Sequence, residues 1–215
     1  MTTELSRREC KRAATRAAIL AAARRLFEDR GYEATTIEDI ARAADVAVQT
    51  VFNHVPSKEE LFFADRVPWV AELKAPPVPR PGESWVDALV RQLVAVTLDY
   101  ARSLEDPFEL TMAAETEQNG GLARYERGLH AEAEDVVTAL VAEAGVTPTP
   151  RLMAAVLLAA TRVHSLEHRD RLLSGVDGGD SLGRLESELT ERLYAIAAAV
   201  TAPVVPAPPP GPPGD

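Results

Sequence analysis

The run from Gly31 to Pro56 constrains this chain most, because it interrupts a helical period twice within a few turns of chain. Ahead of it, from Thr15 to Arg30, the apolar residues Ile19, Leu20, Ala23, Leu26 and Phe27 fall on the single stripe of an amphipathic helix. Gly31 stands where a helix end requires a left-handed residue. Thr35 or Thr36 then serves as N-cap of a second helix, with Glu38 and Asp39 in its first turn and Ile37, Ile40, Ala41 and Ala44 on its inner face. A turn at Asp45 to Ala47 leads into a third helix that ends near His54. Pro56 stops it, and Ser57, with Glu60 at the capping-box position, opens a fourth. Two short helices joined by a three-residue turn behind a longer one are the pattern of a helix-turn-helix unit.

The third helix divides its side chains by polarity. Val48, Val51, Phe52 and Val55 cannot all face water and are expected to pack on the first two helices. Gln49, Thr50 and Asn53 then project outward, where a recognition helix meets base edges in the major groove. The same spacing also describes the solvated side of a small helical bundle. Charge distribution bears on the choice. The chain carries a net charge of −10, yet residues 1–30 hold eight basic residues against four acidic ones. A basic end on an acidic body suits a protein that meets a polyanion with one end only. Arg7, Arg8, Lys11, Arg12 and Arg16 can reach phosphates or the minor groove, and each also reads as an ordinary solvated charge.

Gly31 and Phe27, followed in register by Thr36, Ile40, Ala41, Val46, Thr50, Phe52, His54, Lys58 and Leu61, resemble the N-terminal signature of TetR-family transcriptional regulators over about residues 15–64. The resemblance implies an all-α homodimer: an N-terminal three-helix helix-turn-helix DNA-binding domain, then a larger C-terminal helical ligand-binding and dimerisation domain. It implies that Val48, Gln49, Thr50 and Asn53 lie near bases and that Thr36, Thr50, His54 and Lys58 lie near phosphates. It also implies a palindromic double-stranded operator and a small-molecule effector, most simply in a repressor. Three positions depart from the family's usual residues: Asp45 for glycine, Ala47 for a small hydroxyl residue, and Phe52 for tyrosine. Asp45 tolerates a turn less freely than glycine. Phe52 lacks a phosphate-bonding hydroxyl and is expected to pack only.

The remainder divides at proline and glycine. Residues 1–14 read as a flexible basic arm, 15–64 as the DNA-binding domain, 65–202 as the effector-binding and dimerisation domain, and 203–215 as a disordered Pro-rich tail. After the "KAPPVPRPGES" break, five helices are expected: about Trp85–Leu104, Pro107–Asn119, Leu122–Ala144, Thr149–Leu173 and Ser181–Val200, with Gly120 and Gly121 among the breaks. The helix around Leu152 to Leu166 is apolar on nearly every side and, with the last helix, is the candidate dimer face; burial within one subunit is the alternative.

Trp85, Tyr100, Phe108, Met112, Tyr125 and Met153 are candidate cavity residues, or plain core. The acidic group Glu105, Asp106, Glu109, Glu115 and Glu117 reads as a cation attractant or a solvated face. His164 and His168 have zinc-compatible spacing, but without an HExxH pattern no metal or cofactor is assigned. Neither a phosphate-binding glycine loop nor a GxSxG or CxxC motif occurs, so an enzyme is not expected. The nearer alternative is a helix-turn-helix DNA binder without an effector. Lacking a signal-like or spanning apolar stretch and holding one cysteine, Cys10, the chain is expected in the cytoplasm.

Overall fold

The computed structural model describes residues 7–64, 66, 69–175 and 180–202, and among them every regular element is an α-helix. The N-terminal unit comprises α1 (Arg7–Arg30), α2 (Ile37–Ala43), α3 (Val48–His54) and α4 (Lys58–Phe63). The body comprises the short α5 (Trp69–Glu72), α6 (Trp85–Ser103), α7 (Pro107–Gln118), α8 (Gly120–Ala144), α9 (Pro150–Leu173) and α10 (Ser181–Thr201). The Pro-rich segment 203–215 lies outside the described residues.

Local chemistry accounts for most boundaries. The Gly31 N–H reaches the Phe27 carbonyl at 2.8 Å with φ of 78°, closing α1 in the left-handed conformation glycine adopts at no steric cost. Thr36 makes a full capping box with Asp39, and Ser84 makes another with Asp87 at the start of α6. Asp106 caps α7 ahead of Pro107, whose missing N–H is harmless in a first turn.

Three expectations need correction here. Residues 7–14 are helical and extend α1; arginine, lysine and alanine are good helix formers, and an exposed turn needs no apolar period. Gly120 and Gly121 form the first turn of α8, because the Asn119 side chain accepts from the Gly121 and Leu122 N–H groups. Phe52 remains 44% exposed, since the seven-residue α3 has one inner stripe and Val51 and Val55 fill it.

Two apolar clusters hold the molecule. The body core is built from α6, α8, α9 and α10, with Leu93, Val137, Met153, Leu157, Leu189 and Leu193 wholly buried. The N-terminal cluster gathers Ile19, Phe27, Tyr32, Ile40, Val51 and Phe62, and then recruits Met112 from α7 and Leu122 from α8. Fully burying each such side chain is worth about 1.5–3 kcal/mol relative to exposure. The body is therefore part of the surface on which the helix-turn-helix is folded.

Candidate nucleic-acid interface and the cavity behind it

α3 is held from beneath and from its end. Val51 and Val55 are buried against the α1 and α2 apolar residues. The Arg16 guanidinium donates to the His54 carbonyl at 2.9 Å, satisfying an acceptor that a helix C-terminus leaves open. On the outer side, Gln49 Nε2 donates to Asn53 Oδ1 at 3.2 Å, and both residues are exposed beside Phe52. Val48 and Thr50 are half-buried. The face offered to solvent is thus amide groups flanked by apolar surface, with no charge of its own.

The expected phosphate contacts are distributed differently. Arg12 is exposed on α1, in company with Arg7, Arg8 and Lys11. Thr36 has its hydroxyl engaged by Asp39 at 2.8 Å, and Asp39 in turn pairs with Arg30 and Arg42. These hydrogen bonds from Thr36 hold the Asp39 carboxyl below its usual range. Lys58 is turned inward, with Nζ 4.0 Å from the Tyr32 ring centroid; burial lowers its pKa, opposed by Glu33, Glu59 and Glu115. To meet a phosphate, Lys58 has to leave that ring. Arg16 and Phe52 take roles that spacing alone does not reveal, because each depends on how deeply α3 sits against α1.

The acidic group of α7 fastens the two halves together. Glu109 pairs with Arg24 of α1 at 3.0 Å and with Arg66 at 3.2 Å, while the Arg66 guanidinium lies 4.6 Å and 4.9 Å from the Phe62 and Phe108 ring centroids. Glu115 accepts from the Tyr32 N–H at 2.9 Å, and Glu117 pairs with the buried Arg169 of α9. Neither a cation attractant nor a merely solvated face describes these carboxylates.

Behind this junction a cavity of about 60 Å³ opens among α5, α6, α8 and α9. Trp69, Leu93, Val96 and Leu158 form its apolar walls, and Tyr100, Glu126, His130 and Arg162 face it with polar groups. Of the six residues expected to line a cavity, Tyr100 lines this one, while Phe108, Met112 and Trp85 border other, more open clefts. Met153 is wholly buried in the body core, and Trp85 packs at that core's edge. Phe108, Met112 and Tyr125 belong to the N-terminal cluster, where Tyr125 stacks on Phe63 at 5.4 Å. Aromatic and thioether side chains at helical spacing were drawn to the cores, and the polar lining residues resemble an ordinary wet face in sequence.

Burial sets the protonation of the cavity. It drives the Tyr100 phenol up to about 12 and the Glu126 carboxyl above its usual range, and it lowers the His130 imidazole to about 4, with Arg162 adding to that effect. His130 stacks on Trp69 at 5.0 Å. On α9, His164 Nδ1 bonds its own helix at the Ala160 carbonyl, and no group of three or more metal-ligating side chains occurs among the described residues. No described helix is long and apolar enough to cross a membrane.

A helix-turn-helix with an amide-bearing outer helix, set on an all-helical body, defines a DNA-binding transcriptional regulator. Residues 19–64 match the family model described as bacterial regulatory proteins, tetR family, so the N-terminal unit is a DNA-binding domain of that family. Among solved structures it is similar to NalD of Pseudomonas aeruginosa, described as the secondary repressor of the MexAB-OprM multidrug efflux pump: 25% identity, TM-score 0.51, covering 85% of this chain and 96% of that one. SmeT, solved as a triclosan complex, shares 21% identity at TM-score 0.52, over 92% of this chain and 100% of SmeT. A TetR-family regulator from Streptomyces coelicolor A3 shares 21% identity at TM-score 0.52, over 86% and 94% of the two chains. No curated protein matches the chain.

Proposed function

We propose that this chain is a homodimeric repressor that binds a palindromic operator and is released from it by a small-molecule effector. The observation that carries this reading is the double duty of α8: Leu122 and Tyr125 pack in the cluster beneath the helix-turn-helix, while Glu126 and His130 face the cavity. A molecule that displaces α8 from the cavity side changes the support of α3 in the same movement. Release requires that the effector favour a dimer whose recognition helices no longer fit half-sites one helical turn, ~34–36 Å, apart. Differential affinity of ~1–3 kcal/mol is the usual extent of such coupling. The repressor sign is taken from NalD.

In this reading residues 15–64 form the DNA-binding domain and 65–202 the effector and dimer domain. Gln49, Asn53, Thr50 and Val48 read bases; Arg12 meets phosphate, as do Thr36, His54 and Lys58 once the side chains of Thr36 and Lys58 leave their present partners; Arg16 positions α3. The dimer is supported by an apolar stripe on α9, with Leu152, Ala159 and Val163 exposed around a half-buried Val156, and by the exposed Tyr194, Ala195 and Ala198 on α10. The small cavity favours one alternative, a regulator without an effector.

The test is selection of bound sequences from a random duplex pool, followed by salt titration of the best binder and a small-molecule screen for its release. An enriched palindrome released by a compound supports the proposal. A palindrome that no compound releases favours the alternative, and no enrichment overturns DNA reading by α3.

A further inference from the structure

Glu126 of α8 and Arg162 of α9 face the same cavity as opposite charges, near enough to influence each other, yet they form no ion pair. The Arg162 Nε is buried with no hydrogen-bond partner. Tyr100 and His130 also make no hydrogen bond among the described residues, whereas the hydroxyls of Thr97, Thr161 and Ser165 are spent on carbonyls of their own helices. Open hydrogen-bonding capacity therefore gathers in the cavity, with His130 lying against the Trp69 ring. A buried donor without an acceptor is costly, and a ligand that supplies the acceptor recovers that cost.

We infer that the cavity takes a neutral, planar, one-ring aromatic molecule that places a hydrogen-bond acceptor against Arg162 and a donor against Glu126. This rests on the reading of the cavity as the effector site. A permanent anion gains from Arg162 but meets the Glu126 carboxylate, and a permanent cation meets the reverse. Neither sign is favoured by the pair together, while a donor beside an acceptor satisfies both. The flat body continues the Trp69–His130 stack. Size follows from the volume: about 60 Å³ is well below the ~150 Å³ of an apolar cavity that holds benzene. Even one ring must part the α8 wall, which is the displacement that release from DNA requires.

The test uses the full chain and three probes of matched size: 3-hydroxybenzamide (neutral), benzoate and benzylammonium. Binding is measured by calorimetry and by tryptophan fluorescence. The neutral probe is expected to bind roughly tenfold or more tightly than either ion. E126Q should shift the preference toward benzoate, and R162Q toward benzylammonium. Wild-type preference for either ion, or no binding of all three, overturns the inference; the wild-type ranking decides even if a variant folds poorly. A neutral probe that binds as expected but leaves operator affinity unchanged overturns the effector reading and leaves the ligand class standing.

Discussion

His130 is the side chain whose protonation the fold changes most usefully for experiment. Packed among Trp69, Glu126 and Arg162, its imidazole titrates at about 4 where an unperturbed one does so at 6.5. Because the folded value is depressed, the unfolded chain takes up the proton first, so stability is complete above ~6.5 and is lost as pH falls toward about 4. Glu126 acts in the opposite sense, since a carboxyl raised by burial favours the folded state as pH falls. Comparing wild type with His130→Gln separates the two. Urea unfolding at pH 7 and pH 4 should show that the variant lacks a loss on the order of 2–3 kcal/mol, and parallel pH profiles would refute the assignment. Arg16 and Gln49 supply a second pair. Arg16→Met should cost about 0.5–1.5 kcal/mol of stability through the lost bond to the His54 carbonyl and weaken binding to all sequences, whereas Gln49→Ala should relax base preference and leave stability unchanged. Competition against random duplex, alongside melting, distinguishes them.

Among the elements, the turn between α2 and α3 is under strain that the sequence announces. Asp45 adopts φ of 53°, the left-handed region, and is the non-glycine residue that does so among those described. Asp45→Gly should raise stability by about 0.5–1 kcal/mol and lift the melting temperature by a few degrees, with operator affinity intact; a lower melting temperature would show that the carboxylate contributes more than the strain removes. Such signals explain why the all-helical fold was legible. Thr36 with Asp39, Ser84, Asp106 with Pro107, and Gly145 each act through neighbouring backbone groups, so the local sequence contains the whole cause. What escaped has non-local causes. The first turns of α1 carry no buried residue to make a period, and the cavity lining combines α5, α6, α8 and α9, whose meeting no spacing encodes. Glu126, His130 and Arg162 look like solvated charges until those four helices are packed together.

For the whole molecule, the open apolar stripe of α9 and α10 makes association testable. Leu152 is 53% exposed, Val163 49% and Tyr194 42%, on helices whose other sides form the body core. Val163→Glu should halve the apparent mass in solution while helical content persists, and palindrome binding should weaken far more than binding to one half-site. A variant that keeps its mass would move the dimer contact elsewhere. The cluster shared by the two halves reaches further still. Met112 and Leu122 of the body pack with Phe62 and Tyr32 of the N-terminal unit, and Glu109 ties Arg24 to Arg66. Cutting the chain in the proline-rich segment, where composition invites it, would strip the N-terminal half of part of its own interior. Such a fragment would be sticky rather than autonomous, and heating the intact chain should give one calorimetric transition in which the N-terminal unit and the body melt together.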